Sequence, residues 1–404
     1  ALTNLIVMNN NIRKLHAMAS SEHRIIVGLM SGTSLDGLDL ALCKIYGSGI
    51  NTKVSLEAFQ TIDYDEDIKN KIKEIFAKDT INFPYLAMLN EWIGLLHGDM
   101  INSFLKNHKV ESSYVDVIAS HGQTVMHAPK HQHRKEEFPN ATLQIGDGDH
   151  IAVNTGIITI SDFRQKHLAA GGEGAPLAVY GDYLIFSQPG EDRIMLNMGG
   201  IGNFTYLPGD GDASKVFVTD TGPGNTLMDA FMKKHYHLPY DRNAEIASKG
   251  KINSHLLASL KNHYFFSLKY PKTTGPEVFN LQYLQEAMES ALINEIAYED
   301  IMATLNRLSA ETITDAIRDV IGTQHFQLYM SGGGAHNPLL VSTMKTLLPD
   351  CTFHLSDELG ISGDAKEAVL FAVLANETIA GNPVNFGDRK GVPSVCMGKI
   401  SFPD

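Results

Sequence analysis

The chain has 404 residues, of which 43% are hydrophobic and 20% are charged, and its net charge is -13. This length predicts more than one domain, and the composition is typical of a soluble globular protein. The negative charge argues against a nucleic-acid or anionic-membrane partner, and no apolar run approaches the roughly 20 residues that a membrane-spanning helix needs. The three cysteines show neither paired nor metal-site spacing, which favours a reducing cytoplasm.

The N-terminal residues 1–23 combine basic residues, little acid and a short apolar patch. They predict a loose extension, and an amphipathic helix packed on the surface is the alternative. A buried strand over residues 114–120 is predicted to deliver the polar segment His121-Gly122-Gln123-Thr124 at its end. The spacing of apolar residues predicts helices over residues 65–77, 84–106, 283–297, 301–321 and 364–380.

The segment GLMSGTSLDG at 28–37 is the most informative in the chain, and we call it the first glycine loop. An apolar run precedes it and an alternating segment follows it, which predicts a strand, a tight turn and a second strand. The backbone N–H groups and hydroxyls of such a turn suit an anion such as phosphate. Asp36 is placed to orient a water on a magnesium ion. An ordinary glycine-rich hairpin is the structural alternative.

A second strand–turn–strand segment, RIMLNMGGIGNFTYL at 193–207, repeats this pattern, and we call its turn the second glycine loop. One such hairpin in each half of the chain indicates an internal duplication. Asp220 then ends a further strand, and the turn after it leads into a predicted helix whose N-terminus suits an anion. Asp220 is predicted to hold a metal-bound water. The three glycines Gly332 to Gly334 allow a flat ligand such as adenine to lie against bare backbone.

The region between the two glycine loops predicts a small-molecule pocket. Asp162-Phe163-Arg164 and the turn AAGGEGAP at 169–176 bring together a carboxylate, a guanidinium and flexible backbone. A structural Asp–Arg ion pair in a hinge is an equally good interpretation of Arg164. The motifs of P-loop NTPases, serine hydrolases and zinc proteases, GxxxxGK[ST], GxSxG and HExxH, do not occur in the sequence.

The order of these motifs resembles the anhydro-N-acetylmuramic acid kinases, a family within the sugar kinase, Hsp70 and actin superfamily. The resemblance extends from Arg24 to the C-terminus and is carried by segments such as ASHGQTVMHAP, LNMGGIGNFTYL, DTGPGNTLMDA and SGGGAHNPLL. It implies an α/β, two-domain, actin-like (ASKHA) ATPase fold with a central interdomain cleft. It also implies ATP and Mg2+ as cofactors and a small anhydro-sugar as substrate.

The resemblance implies a coupled reaction. Water opens the 1,6-anhydro ring of anhydro-N-acetylmuramic acid, and the freed O6 takes the γ-phosphoryl group of ATP, which gives N-acetylmuramic acid 6-phosphate in cell-wall recycling. Two alternatives stay open: a kinase for another 1,6-anhydro-sugar such as levoglucosan, and a family member that binds nucleotide without catalysis.

The motifs also predict site residues. Asp36 and Asp220 are expected to hold magnesium through water. Glu367 matches a family glutamate that contacts the sugar, and the other expected sugar-binding residues are His121, Gln123, Arg164 and Gly172. The expected ATP-binding residues are Gly32, Thr33, Ser34, Asp36, Gly37, Gly199, Gly200, Asn203, Asp220, Gly222, Gly224, Asn225, Gly332, Gly333 and Gly334.

The sequence departs from the family pattern at the expected catalytic base. The family has an Asp three residues after the Arg of the Asp-Phe-Arg segment, where this chain has His167. It has a His six residues after the Pro of the Gly-Ala-Pro turn, where this chain has Asp182. We therefore predict His167 and Asp182 as a catalytic dyad with exchanged partners, in which His167 is nearest the water. Asp182 as the base is the alternative within the pair, because the family base is a carboxylate. Lost or altered chemistry is the alternative.

The predicted organisation follows from these assignments. Residues 1–23 form the extension, residues 24–160 and 381–404 the first domain, and residues 161–380 the second domain, whose last helix crosses onto the first. The expected location is the cytoplasm, with neither nucleic-acid nor membrane partners. The sequence leaves open whether two copies form a homodimer.

Overall fold

The computed structural model of the chain describes residues 8–322 and 324–404. These residues form two compact units: unit 1 comprises residues up to 189, 212–214 and 360–404, and unit 2 comprises residues 190–211 and 215–359. Across the described ranges, no helix is both long enough and apolar enough to cross a lipid bilayer. Helices and strands are numbered below in chain order through both units.

Unit 1 is built on a mixed sheet with the strand order β12-β6-β4-β1-β2-β3, and β5 pairs with β4 outside this row. The strands β1, β2 and β3 form an antiparallel meander, while β4 is parallel to β1 and to β6. Its strands are β1 (His23–Ser31), β2 (Gly37–Tyr46), β3 (Lys53–Asp63), β4 (Val117–Ala128), β5 (Ala141–Ile145), β6 (Thr159–Ser161) and β12 (Lys399–Ser401). Its helices are α1 (Asn10–Ser20), α2 (Glu66–Lys73), α3 (Phe83–Asn107), α4 (Lys130–His133), α5 (Gly148–Thr155), α6 (Phe163–Ala169), α7 (Ala178–Phe186) and α13 (Lys366–Ala380).

Unit 2 is built on a five-stranded sheet with the order β11-β10-β7-β8-β9. Again three strands form an antiparallel meander, and β10 is parallel to β7 and to β11. Its strands are β7 (Arg193–Met198), β8 (Ile201–Leu207), β9 (Phe217–Pro223), β10 (Phe326–Ser331) and β11 (Cys351–Leu355). Its helices are α8 (Thr226–Tyr236), α9 (Ser254–Lys261), α10 (Leu281–Ser290), α11 (Tyr298–Ile321) and α12 (Pro338–Leu347).

The two sheets share one topology. In each, the first strand is central, the second and third pair outward on one side, and the next two parallel strands lie on the other side. The glycine loops connect the first two strands in each unit, which places them at equivalent positions. The internal duplication and the α/β fold class predicted from the sequence are therefore confirmed.

The boundaries between the two units differ from the domain boundaries predicted from the sequence. Residues 161–189 belong to unit 1 rather than to the second domain, because β6 joins the first sheet beside β4 and α7 packs against α13. The helix α13 belongs to unit 1 as well, since it packs directly on β1, β2 and β4. The predicted domain boundary between residues 160 and 161 therefore lies inside unit 1.

Most predicted elements occur with small shifts of their ends. The helices α3 and α11 match the predicted ranges within three residues at each end, whereas α10 stops at Ser290. The strand β4 differs more, since it continues to Ala128 and includes His121 and Gln123 within the strand. Both polar side chains are buried, because hydrogen bonds replace the water they lose.

The helix α13 packs unusually close to the central strand β1. A Cβ atom on Gly28 would lie 2.0 Å from the carbonyl oxygen of Ala368, so only glycine allows this approach. Residues 368–377 of the helix are all buried. The close contact fixes the position of the first turn of α13, which carries Lys366 and Glu367.

The N-terminal extension contains a helix, as the alternative interpretation predicted. The helix α1 starts after Asn9, whose side chain accepts hydrogen bonds from two backbone N–H groups. The Asn11 amide donates to the carboxylate of Asp404 at 2.7 Å, and the buried Arg24 donates to the Ser21 carbonyl at 2.7 Å and to Asn376 at 2.6 Å. These bonds join α1 to the rest of unit 1. Residues 1–7 lie outside the described residues.

A buried polar network lies beneath the first glycine loop. The Nε2 atom of His97 lies 2.7 Å from the Tyr64 hydroxyl, which lies 2.8 Å from the Ser31 hydroxyl. The Ser31 hydroxyl in turn donates to the Gln123 amide oxygen at 2.5 Å. Complete burial lowers the pKa of His97 to about 4, because the charged imidazolium would lose its hydration.

We expect this histidine to make the stability of unit 1 depend on pH. His97 binds a proton near pH 6.5 in the unfolded chain but only near pH 4 in the folded one, so the unfolded state gains more protons between these values. The free energy of unfolding should therefore fall as pH decreases, by about 2 kcal/mol from this group between pH 7 and pH 5.

Urea unfolding of the wild type and of His97→Gln at both pH values measures this contribution. Glutamine keeps a polar atom near Tyr64 but does not titrate, so its variant should show the smaller pH dependence. Equal pH dependence in the two proteins would contradict the prediction.

Candidate active site

The first glycine loop is held by its neighbours at both ends. The Gln123 amide donates to the carbonyl of Gly32 at 3.2 Å, and the N–H of Tyr64 donates to the carbonyl of Asp36 at 2.9 Å. Thr33, Ser34 and Asp36 are exposed. In the described part of the chain, the N–H groups of Thr33 and Ser34 meet no acceptor, so they are available to an anion.

Arg164 is the centre of a polar cluster in unit 1. Its Nε donates to Nε2 of His121 at 2.8 Å, and its NH1 donates to the carbonyl of Gly174 at 2.7 Å. Burial lowers the pKa of Arg164, and the negative charge of Glu367 partly opposes this shift. The predicted sugar-binding residues His121, Arg164 and Glu367 therefore lie together. Gln123 lies two residues from His121 on β4 and contacts the first glycine loop instead.

His121 has a defined proton position. Its Nδ1 lies 2.8 Å from the carbonyl of Gly122, so Nδ1 carries the hydrogen, and Nε2 is the acceptor for Arg164. Burial, reinforced by the positive charge of Arg164, lowers the pKa of His121 to about 3. The imidazole is therefore neutral at physiological pH and supports the guanidinium as an acceptor.

His167 holds the glycine-rich turn that follows α6. It is fully buried, and its Nδ1 accepts a hydrogen bond from the N–H of Gly174 at 2.9 Å. A Cβ atom on Gly172 would lie 2.2 Å from Cε1 of the ring, so glycine is required for this contact. Since Nδ1 is an acceptor, the single proton of the neutral ring lies on Nε2. Burial lowers the pKa of His167 and favours this neutral form.

Asp182 is bound to the start of α13. Its carboxylate lies 2.9 Å from the Lys366 ammonium, and the side chain is almost completely buried in α7. His167 and Asp182 are not hydrogen-bonded to each other in this structure. The orienting contact predicted between them is thus replaced by two separate contacts, one to Gly174 and one to Lys366. Glu367, the next residue on α13, is exposed.

In unit 2, the second glycine loop packs against the turn between β9 and α8. The carbonyls of Gly199 and Gly200 accept hydrogen bonds from the N–H groups of Asn225 and Gly224, both at 2.9 Å. The Asn225 side chain donates to the Met198 carbonyl at 2.9 Å. Asn203 and Gly222 lie in the adjoining strands β8 and β9, and the glycines 332–334 follow β10. A Cβ atom on Gly333 would lie 3.4 Å from the Asn225 amide.

Asp220 lies on β9 with one carboxylate oxygen fixed. Its Oδ2 accepts from the N–H of Thr274 at 2.9 Å, and its own N–H donates to the Lys272 carbonyl at 3.0 Å. Partial burial raises the pKa of Asp220. Lys272 is buried, with its ammonium bonded to the Phe265 carbonyl at 3.0 Å, and it secures the segment that supports Asp220.

A cavity of about 350 Å³ lies beside the turn between β9 and α8. This volume is in the range of small-ligand sites, about 300–1,000 Å³. Asn225 and Gly333, two of the residues expected to bind ATP, line this cavity. Further lining residues that the sequence analysis missed are Asp229, Tyr240, Arg242 and His336. Asp229 and His336 had a sequence signal, since they lie within the motifs DTGPGNTLMDA and SGGGAHNPLL, whereas Tyr240 and Arg242 had none.

The described residues contain no group of three or more His, Cys, Asp or Glu side chains arranged to bind a metal. Asp36 and Asp220 therefore do not belong to a dense metal site in either unit. Isolated carboxylates of this kind fit magnesium, which keeps most of its waters and takes its other ligands from substrate phosphates.

The family model described as anhydro-N-acetylmuramic acid kinase matches residues 24–403. The anhydro-N-acetylmuramic acid kinase of Pseudoalteromonas atlantica is 55% identical over 98% of this chain and 100% of its own length. That of Caldanaerobacter subterraneus is 39% identical over 96% of this chain and 100% of its own length. A solved activator of 2-hydroxyisocaproyl-CoA dehydratase from Clostridium difficile aligns over 88% of this chain and 95% of its own, with 12% identity and a TM-score of 0.37. On the two sequence relatives and the family model, the chain belongs to the anhydro-N-acetylmuramic acid kinase family.

Proposed function

We propose that this kinase uses ATP and Mg2+ to convert 1,6-anhydro-N-acetylmuramic acid into N-acetylmuramic acid 6-phosphate. The observation that carries the proposal is the match to the family over residues 24–403, which includes every residue of the polar clusters described above. In the reaction, the oxygen of water bonds to C1 and the C1–O6 bond breaks. O6 then bonds to the γ-phosphorus, ADP leaves, and a proton of the water passes to a protein base.

Unit 2 supplies the nucleotide site in this proposal. Its cavity takes the nucleoside, and the glycine turns beside it bring the backbone close to phosphate oxygens. In unit 1, the free N–H groups of Thr33 and Ser34 bind phosphate oxygens in the same way. Asp36 and Asp220 hold magnesium through water, and bound magnesium neutralises charge that develops on the phosphates.

The Arg164 cluster supplies the sugar site. N-acetylmuramic acid carries a carboxylate on its lactyl group, and a guanidinium pairs with a carboxylate through two parallel hydrogen bonds. Levoglucosan has no such group. Arg164 is thus the reason that the proposal favours the muramic acid derivative. Glu367, whose charge acts on Arg164, is proposed to bind the sugar hydroxyls, and Gly172, in the same turn as the Arg164 acceptor Gly174, is proposed to lie against the sugar.

Of the two predicted catalytic residues, we assign the base to Asp182 and a positioning role to His167. A base needs a lone pair that is free to take a proton from water. The Nδ1 lone pair of His167 already accepts from Gly174, and Nε2 carries the ring proton. Asp182 is a carboxylate, the residue type of the family base, and its Oδ1 lies 2.9 Å from the ammonium of Lys366, the residue before Glu367 on α13.

The substrate assignment predicts a selective kinase. With ATP and Mg2+, we expect ADP release with 1,6-anhydro-N-acetylmuramic acid and far less with levoglucosan or with reducing N-acetylmuramic acid. A coupled ADP assay measures the rates, and mass spectrometry should find a product heavier by one water and one phosphoryl group. If levoglucosan is turned over faster, it is the substrate and the proposed assignment is wrong. If the protein binds nucleotide but turns over no sugar, it is a non-catalytic member of the family.

The base assignment predicts different results for Asp182 and His167. Asp182→Asn should lower kcat about 10²- to 10⁴-fold, the usual contribution of a general base. His167→Asn should keep most of the turnover, because its amide oxygen can replace Nδ1 as the acceptor for Gly174. Steady-state kinetics and thermal unfolding of both variants measure these effects.

Lys366→Met is the control, since it removes the partner of Asp182 and keeps the carboxylate. Its kcat should fall much less than that of Asp182→Asn. The assignment is wrong if His167→Asn loses as much turnover as Asp182→Asn, or if Asp182→Asn keeps wild-type turnover.

Asp220→Asn should raise the magnesium concentration needed for half-maximal turnover and lower the maximal rate. The amide keeps an oxygen for the Thr274 N–H but loses the negative charge that attracts a metal-bound water. Magnesium titrations of turnover compare it with Asp350→Asn, which neutralises an exposed carboxylate elsewhere in unit 2. Identical magnesium dependence in the wild type and both variants would exclude a role for Asp220 in holding the metal.

A further inference from the structure

Asp229 is a partly buried carboxylate that lines the unit 2 cavity without a hydrogen-bond partner among the described residues. The cation that influences it is the exposed Lys233, one turn farther along α8. Keeping a carboxylate away from water without hydrogen bonds is costly. A ligand with hydrogen-bond donors would remove this cost, so the environment of Asp229 points to a bound group that donates.

The helix α8 sets the distance between Asp229 and the phosphate end of the cavity. The N–H of Asp229 donates to the carbonyl of Asn225 at 2.8 Å, so the two residues are one helical turn apart. Four residues rise about 6 Å along a helix axis. Asn225 belongs to the turn that packs on the second glycine loop. In a nucleotide whose phosphates lie at that turn, the ribose follows next and the base lies farther out.

The hydrogen-bonding groups of a nucleotide indicate which part of it Asp229 binds. An ionised carboxylate only accepts hydrogen bonds, and its two oxygens suit two neighbouring donors. A ribose offers such a pair in its 2′- and 3′-hydroxyls. Phosphate oxygens and the ring nitrogens N1, N3 and N7 of adenine offer none. Tyr240 and His336 are the aromatic side chains of the cavity and suit the flat base instead.

We propose that Asp229 binds the 2′- and 3′-hydroxyls of the nucleotide and selects ribonucleotides over deoxyribonucleotides. This inference rests on the proposed nucleotide site of unit 2 and adds a specificity-determining residue to it. Burial raises the pKa of Asp229 to about 6, which still leaves the carboxylate ionised at neutral pH. The selection is useful to a kinase because ATP and its deoxy forms carry the same triphosphate.

The test compares the affinities of ATP, 2′-deoxy-ATP and 3′-deoxy-ATP by titration calorimetry with magnesium at pH 7.5. In the wild type, each deoxy form should bind about tenfold more weakly than ATP, as expected for one lost hydrogen bond to a charged acceptor. In Asp229→Asn and Asp229→Ala, this ratio should shrink to about twofold or less. The ratio is the informative quantity because removing a negative charge changes the binding of all three triphosphates alike.

Glu245→Gln is the matched control, since it removes an exposed carboxylate from the adjoining segment and should keep the wild-type ratio. Equal affinities for ATP and both deoxy forms in the wild type would overturn the inference even if both Asp229 variants failed to fold. An unchanged ratio in folded Asp229 variants would also overturn the inference. It would be overturned as well if these variants lost only the discrimination between ATP and inosine triphosphate, because Asp229 would then contact the base and not the ribose. If the wild type binds no nucleotide, the proposed function fails as well, which separates that outcome from the others.

Discussion

The close packing of α13 on β1 is the constraint on which the site in unit 1 depends. Because Gly28 has no side chain, the helix approaches the central strand until its backbone touches the sheet. The rest of the helix is buried along most of its length, so it cannot rotate or slide without exposing apolar surface. Its first turn therefore presents Lys366 to Asp182 and the charge of Glu367 to Arg164. At its other end, Asn376 binds Arg24 and Glu377 accepts from the N–H of Gly49.

The duplication of the fold was predictable because its signals are local. Each unit begins with a strand, a glycine loop and a second strand, and these segments are marked by glycines and alternating apolar residues. The limits of the units were not predictable from such signals. The helix α7 joins unit 1 by packing against α13, which is almost 200 residues later in the chain, and Phe163 of α6 contacts Phe371 of α13. The strand β4 was predicted too short because its polar residues, His121 and Gln123, are buried through hydrogen bonds rather than through apolar character.

The backbone turns of the candidate site could be predicted from the sequence, whereas its side-chain contacts could not. Glycine-rich turns are recognisable from the sequence, and in the structure the two glycine loops connect equivalent strands of the two units. Side-chain partners do not reveal themselves. Nothing near His167 or Asp182 in the sequence indicates that one would accept from a glycine N–H and the other would pair with Lys366. Tyr240 and Arg242 likewise line the cavity of unit 2 from a segment that no motif marks.

The hydrogen bonds of Arg164 have a consequence for binding entropy. An arginine side chain on a surface samples many rotamers, and a ligand that immobilises it must offset the lost freedom, roughly 2 kcal/mol. Here His121 and Gly174 already fix two of the three guanidinium nitrogens in a plane. That loss of freedom is incurred when the chain folds, before any ligand arrives. A carboxylate that accepts from NH2 and from the second hydrogen of NH1 therefore encounters a rigid pair of donors, and a lysine at this position would offer neither the plane nor the rigidity.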